Sequence, residues 1–304
     1  MALVPTEWGQ PAAALNGDYF GDTYLYFGDP AGLQIAQGEL ISGPHPTRVC
    51  FWMDARGELH RGVVQSLFRV TWPDGASTPL GLNEDRPVAG ATLYTRAVGP
   101  STRTKGGLDL ELTAVGGADL PRLEPGRIYQ AVISALNPNG NSRLRPGMMV
   151  ISAGPKLAAR LGRLKPGDPV TFSTATRPDL AGARTGLGGG PTLVHQGRPW
   201  HWSNPLPFRH PRSAFGWNKD YCFLVEVDGR QAASAGMTFE ELADYLVRLG
   251  CEEAINLDGG GSATLWVDGR VVNSPSQGRE RPACNAIMLI RRSSEQRTRS
   301  ANNP

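Results

Sequence analysis

Only one stretch of this sequence reads plainly as a helix, and that scarcity constrains the fold more than any other feature. Thr238-Phe239-Glu240-Glu241 places a hydroxyl where a helix N-cap belongs and a glutamate three residues on, the capping-box arrangement. Phe239, Leu242, Ala243, Leu246 and Leu249 then recur at helical spacing, and Gly250 supplies a stop. A weaker helical pattern covers residues 155–162, PKLAARLG. Elsewhere the apolar runs are short and end at glycine or proline. With 38 Gly and 25 Pro in 304 residues, the chain stays below disordered or collagen-like compositions but favours short strands joined by turns.

The strand candidates cluster toward the C-terminal end. Residues 221–227 (YCFLVEV) form a near-continuous apolar run closed by Asp228-Gly229, a turn signal. Residues 254–257 (AINL) are short and apolar. Residues 263–267 and 270–273 flank Asp268-Gly269 as a hairpin, and residues 285–290 (NAIMLI) make another buried strand. The order strand, helix, strand, hairpin, strand predicts a mixed sheet with helices packed on it. Between residues 60 and 180 come further short strands, such as 61–72, 91–97 and 148–152, whose pairing order the sequence leaves open. The expectation is an α+β fold: a mixed, largely β-sheet core with a few packed helices. No low-complexity linker divides the chain, so a single compact domain is expected over residues 1–292, followed by a polar, frayed tail at 293–304.

Charge and cysteine content narrow the function classes. The formal net charge is +3, and no run of basic residues occurs, so nucleic acid is not an expected partner. A small anionic substrate needs only one or two well-placed arginines. Cys50, Cys222, Cys251 and Cys284 form no CxxC pair, which argues against structural zinc; three lie in or beside apolar runs and read as buried small hydrophobes. The first fifteen residues lack the basic segment and apolar core of a signal peptide, and no run of 18 apolar residues predicts a transmembrane segment.

The strongest local signal for chemistry is Asn256-Leu257-Asp258-Gly259-Gly260-Gly261-Ser262. An apolar strand ends in an acid, and three glycines follow, which permit close approach of backbone to a ligand. Successive N–H groups in such a turn can cradle an anion, although a glycine turn capped by its own aspartate explains the pattern equally well. A second glycine cluster, including Gly189 and Gly190, precedes Thr192-Leu193-Val194 and is neither a P-loop nor a dinucleotide fingerprint. In His210-Pro211-Arg212-Ser213 the arginine can grip a phosphate bidentately, or stand exposed in a loop; His210 reads as a loop or packing residue. Asn16-Gly17-Asp18 reads as a turn at a strand end, with Asp18 as a second carboxylate. The polar segment from Asn273 to Asn285 contributes Arg281 as a second cation.

In their order along the chain, NGDYF, GGGPTLV, HPRSAFG, VDGRQ with GMTFEELA, INLDGGGSATL and VVNSPSQGRERPACNAI resemble the phosphodiester glycosidase family. The resemblance runs from about residue 10 to about residue 290 and is densest after Gly186. Two departures stand out: the domain begins abruptly here, and the segment usually written RTAIG is Arg212-Ser213-Ala214-Phe215-Gly216, which leaves pocket shape and acceptor specificity open.

The resemblance implies hydrolysis of a sugar-1-phosphodiester at the C1–oxygen bond, releasing a free sugar of N-acetylglucosamine type and a phosphomonoester. A phosphate leaving group with a second pKa near 6 needs less general-acid help than an alcohol. On this reading Arg212 and the N–H groups of Gly259, Gly260, Gly261 and Ser262 bind phosphate. Asp258 acts as base, nucleophile or hydroxyl clamp, with Asp18 as partner carboxylate. Asn16, Asn256 and Asn273 orient sugar hydroxyls, and Gly189, Gly190 and Arg281 complete the substrate site. A carboxylate repels phosphate, so Asp258 is expected to face the sugar or sit against Arg212 or Arg281. No cofactor and no metal are implied; the expected partner is a sugar-phosphate or phosphoglycan substrate, and an extracellular or envelope location follows from the resemblance alone. Two rival readings remain: a phosphodiesterase cutting P–O bonds, disfavoured by the dispersed histidines, and a non-catalytic glycan-binding module using Trp200 and Trp202.

Overall fold

The computed structural model describes residues 4–5, 8–21, 28–204 and 206–292. The polar tail expected at 293–304 lies outside the described residues, as does part of the N-terminal stretch read for a signal peptide. By its contacts the chain divides into two compact units, one from residues 1–19 and 189–304 and one from residues 20–188. The first unit is assembled from both ends of the sequence, which is why no linker composition marks it. Among the described residues no helix is long and apolar enough to cross a membrane.

The largely β, α+β architecture expected from the sequence is present. In the unit of residues 20–188, seven strands close into a barrel in the order Leu108–Ala114, Ile128–Asn137, Pro169–Ser173, Arg69–Thr71, Ser77–Leu82, Ala91–Tyr94, Met149–Ala153. One pairing, Ser77–Leu82 with Ala91–Tyr94, is parallel. A five-stranded antiparallel sheet carries Thr185–Gly188 at its centre. Their shared core includes Leu33, Val70, Leu93, Leu112, Ile133 and Phe172. The strand expected over 61–72 is three shorter ones, Leu59–Val63, Gln65–Ser66 and Arg69–Thr71. The weak helix expected over 155–162 shrinks to Pro155–Ala158, because Gly162 and Pro166 leave it no room to propagate.

The unit of residues 1–19 and 189–304 holds two antiparallel sheets. The first runs Arg270–Val271, Leu265–Val267, Gln10–Asn16, Ala286–Arg291; the second runs Arg198–Pro199, Thr192–His195, Glu253–Asn256, Arg212–Trp217, Cys222–Val227. Asp268 and Gly269 both have positive φ, 42° and 98°, which closes the expected hairpin tightly. The helix is Phe239–Arg248, and both arms of its capping box form: Glu241 N–H donates to Thr238 Oγ1 at 3.2 Å, and Thr238 N–H donates to Glu241 Oε2 at 3.0 Å. Its Leu242, Ala243 and Leu246 are fully buried against Leu193, Val194, Ala214 and Ala254 of the second sheet. Burial of each leucine contributes about 2 kcal/mol. This packing anchors the sheet whose strand ends carry the residues below.

Candidate active site

Antiparallel pairing gathers the candidate site residues, all within the unit of residues 1–19 and 189–304. Gln10–Asn16 pairs with Ala286–Arg291 so that Asn16 faces Ala286, which brings Asp18 to the segment 281–285. Glu253–Asn256 pairs with Arg212–Trp217, so the end of one strand, leading into Asp258, lies beside the start of the other at Arg212. Asp258 N–H donates to the Gly17 carbonyl at 2.9 Å and joins the two strand ends.

Asp258 sits at the centre. Its Oδ1 accepts the Gly259 N–H at 2.9 Å, and its Oδ2 accepts the Ser262 hydroxyl at 2.5 Å. Ser262 Oγ in turn accepts Arg281 Nε at 2.9 Å and Nη2 at 2.6 Å, and Arg281 Nη2 stands 3.5 Å from the carboxylate. Of the two arginines weighed as neighbours of Asp258, Arg281 is the one beside it, bridged by a serine. The two partners of Asp258, Ser262 and Arg281, line a cavity of about 1020 Å³ together with Asn16, Thr264, Trp266 and Asn285 among others.

Asp18 is 1% exposed; its Oδ1 accepts the Tyr19 N–H, and its N–H donates to Asn285 Oδ1, both at 2.8 Å. The Cys284 thiol donates to the Asp18 carbonyl at 3.2 Å. Burial pushes that thiol up to about 12, and the charges of Asp18 and Asp258 both add to the rise. Both carboxylates thus act on one spot, and Cys284 is held as a neutral thiol without nucleophilic character.

Arg212 is 8% exposed and is cradled by the residues before the helix. Its Nε donates to the Met237 carbonyl and its Nη2 to the Phe208 carbonyl, each at 3.0 Å, while its guanidinium lies 4.0 Å from the Phe239 ring centroid. The capping box therefore does more than start a helix: it presents Phe239 as the platform for the arginine. Burial lowers the Arg212 pKa, Tyr19 opposes this, and Arg230 adds to it.

The asparagines expected to orient sugar hydroxyls are turned to structural work. Asn16 Nδ2 donates to the Asp258 carbonyl at 2.6 Å, and Asn16 Oδ1 accepts from Ser213 Oγ at 2.6 Å and Thr264 N–H at 3.1 Å. Asn256, 1% exposed, donates through Nδ2 to Tyr19 Oη at 2.7 Å and to the Gly190 carbonyl at 3.2 Å. Asn273 ties Leu265 N–H to the Ala263 carbonyl and Asp228. Strand ends expose backbone groups that need partners, and asparagine offers both polarities.

The glycines serve close approach. A side chain at Gly189 would lie 2.6 Å from the Asn256 carbonyl oxygen, and one at Gly259 would lie 2.6 Å from that of Pro211. Gly260 has φ +60°, and a side chain there would meet the Arg230 guanidinium at 3.1 Å; one at Gly261 would meet Gln277 Nε2 at 2.8 Å. The N–H groups expected to bind phosphate are partly committed: Gly259 to Asp258, Gly260 to the Pro211 carbonyl, Ser262 to the Gly259 carbonyl.

Two residues gain importance that the sequence did not show. Arg230 follows Asp228-Gly229 and reads as part of a turn, yet its guanidinium leans over Gly260 and its Nη2 donates to His210 Nδ1 at 3.3 Å. An arginine cannot accept, so His210 carries its proton on Nε2 and is neutral; burial, Arg230 and Arg212 lower its pKa, in that order. Glu226 faces Ser213 across the strand pair. Burial and then Asp228 push it up to about 8. The adjoining positive φ of Arg230, +59°, belongs to the turn chemistry that hid it.

The other unit has its own cavity of about 330 Å³, lined by Asp29, Phe68, Glu84 and Asp85 among others, and that cavity is lined by none of the candidate site residues. Among the described residues one trio, Asp54, Glu58 and His60, brings ligand atoms within 4.8 Å of one another. It lies on a hairpin of that unit.

The model of the phosphodiester glycosidase family matches residues 129–290, more than half of the chain. A SPbeta prophage-derived uncharacterised protein, YomE, of Bacillus subtilis (strain 168) is 33% identical over 114 residues, covering 36% of this chain and 18% of that protein. N-acetylglucosamine-1-phosphodiester α-N-acetylglucosaminidase of Bos taurus is 41% identical over 66 residues, 21% of this chain and 12% of that one. The matched stretches thus span less than a fifth of either curated relative. A hypothetical protein from Synechocystis shares the fold with a TM-score of 0.68 at 23% identity, over 91% of this chain and 51% of the other. A protein from Burkholderia pseudomallei K96243 does so with a TM-score of 0.70 at 21% identity, over 92% and 66%.

Proposed function

Because the chain belongs to the phosphodiester glycosidase family, we propose that it hydrolyses sugar-1-phosphodiesters, with Asp258 acting at the anomeric carbon. The observation that carries this reading is the Asp258–Ser262–Arg281 bridge, whose Ser262 and Arg281 line a cavity large enough for a sugar. Water adds to C1, the C1–oxygen bond breaks, and its electron pair stays on the phosphate oxygen. The sugar leaves with the water hydroxyl, the other proton is released, and the phosphate gains one negative charge. The positive character that develops at C1 needs a carboxylate. Asp258 supplies it while Arg281 limits its repulsion of the phosphate, and Asp18 is the partner carboxylate. Arg212, with N–H groups still available at Nη1, holds the phosphate with Arg230.

The test is hydrolysis of an N-acetylglucosamine-1-phosphodiester, by wild type and Asp258→Ala, with EDTA present and both products identified. Free sugar plus phosphomonoester from wild type only is expected. Sugar phosphate plus alcohol would mean P–O cleavage instead, and binding without turnover, unchanged in Asp258→Asn, would mean a glycan-binding module.

A further inference from the structure

Arg212 and Arg230 are unusual as a pair. Arg212 is nine-tenths buried, yet its Nη1 makes no hydrogen bond to any described residue. Among the described residues Arg230 bonds only the imidazole of His210. Among the described residues no carboxylate pairs with either guanidinium, whereas Arg281 is taken by Asp258 and Ser262, and Arg209 by Glu241. Tyr19, Arg230 and Glu240 act on Arg212, and both arginines act on His210. The two arginines flank the same glycine turn: a Cβ at Gly259 would lie 3.5 Å from Arg212 Cα and one at Gly260 3.1 Å from Arg230 Nη1, and Arg230 bonds His210, two residues before Arg212. Two like charges on one turn, one of them desolvated, are stabilised by an anion between them. A monoanion offsets one of the two charges; a dianion offsets both.

We propose that Arg212 and Arg230 form a two-guanidinium clamp that binds a phosphomonoester dianion more tightly than a phosphodiester monoanion, so that the protein retains its own phosphate product and is inhibited by it. This rests on the reaction proposed above. In that reaction the phosphate passes from one negative charge to two as the C1–oxygen bond breaks. A clamp matched to two charges stabilises the transition state more than the bound substrate. The same match makes the product a competitor, so sustained turnover requires a following reaction that consumes phosphomonoesters. Gly260 is part of the device: with no side chain there, the Arg230 guanidinium can lie over the turn beside Asp258.

The test is equilibrium binding, which needs no turnover. Methyl phosphate and dimethyl phosphate are titrated at about pH 8 and about pH 5, on either side of a monoester's second pKa near 6. Sulfate and methyl sulfate, whose charges do not titrate, serve as controls. At the higher pH, methyl phosphate is expected to bind about tenfold tighter than dimethyl phosphate, the worth of one charged hydrogen-bond partner. The gap should close at the lower pH, while sulfate keeps its advantage over methyl sulfate at both. Arg230→Gln, on an exposed turn and checked by its thermal midpoint, should equalise the two phosphates. Equal affinities in wild type, a preference that survives Arg230→Gln, or sulfate binding that weakens as pH rises would each overturn the clamp. Absence of sugar release with the preference intact overturns the reaction and not the charge selectivity; sugar release without the preference overturns the clamp and not the reaction.

Discussion

Ser262→Ala tests whether the serine bridge serves chemistry or only shape. The hydroxyl is 1% exposed; it donates to Asp258 at 2.5 Å and accepts two Arg281 N–H groups at 2.9 and 2.6 Å. Hydrogen bonds to charged groups contribute about 1.5–3 kcal/mol each. The loss is not the sum, because Arg281 Nη2 already stands 3.5 Å from the carboxylate and can close on it. That direct pair, partly open to solvent, regains up to about 1 kcal/mol. The net expectation is about 1–2 kcal/mol of lost transition-state stabilisation, a fall of about 5- to 30-fold in kcat. Denaturant midpoints should move little, because the change removes one buried oxygen and leaves Gly259 N–H on Asp258. The assay is free-sugar release under saturating phosphodiester, beside urea unfolding of the same preparations. Arg281→Gln and the double variant complete a cycle, and the two single losses should not add, since each breaks the same bridge. Unchanged kcat in Ser262→Ala, or fully additive losses, would refute the account of Asp258 as a carboxylate positioned through serine.

Three further variants probe other links. Phe239→Leu removes the ring 4.0 Å beneath the Arg212 guanidinium; about 1 kcal/mol of cation–π attraction is lost, so KM for the phosphodiester should rise about fivefold while the helix signal in circular dichroism persists. Leu246→Ala empties a fully buried position of the helix face and should cost about 2–5 kcal/mol in urea unfolding. Glu226 is pushed up to about 8 by burial, then by Asp228, with Asn273 opposing. The folded chain therefore holds that proton more tightly than the unfolded chain. Its contribution to stability is complete below about pH 4.5, declines as pH rises and is lost through about pH 8. Thermal midpoints of wild type should fall across that window more steeply than those of Glu226→Gln, and parallel curves would remove Glu226 as the cause.

The helix was legible because every signal for it is local: the cap, the glutamate three residues on, the apolar spacing and the terminal glycine all lie within thirteen residues of one another. The short strands were legible as apolar runs, but their lengths were not. Where three runs fuse in the sequence, as over 61–72, the structure breaks them at each change of sheet. Among the site residues, Asp258, Ser262, Arg281, Arg212 and Asp18 were named from motif chemistry, and the structure collects them in one unit. The asparagines were named too, but as ligands of sugar. In the folded chain Asn16 and Asn256 close backbone groups at strand ends, a demand that exists only once the sheets have formed. Arg230 escaped because an arginine after Asp-Gly reads as a solvated turn. Only the approach of its side chain to Gly260, thirty positions on, gives it a partner.

The amino-acid order by itself determined the elements: a largely β chain, one capped helix, a strand ending in an acid before three glycines, and a set of motifs sufficient to name a family. Those follow from interactions a few residues long. Tertiary structure decided which charges meet. Arg281 reaches Asp258 through Ser262 because Ala286–Arg291 pairs with Gln10–Asn16, while Arg212 is left with the carbonyls of Met237 and Phe208 and the ring of Phe239. In the sequence both read alike, as arginines of polar segments. Pairing energies between charges depend on distance and on solvent access, and neither quantity exists before the two halves of the chain have come together.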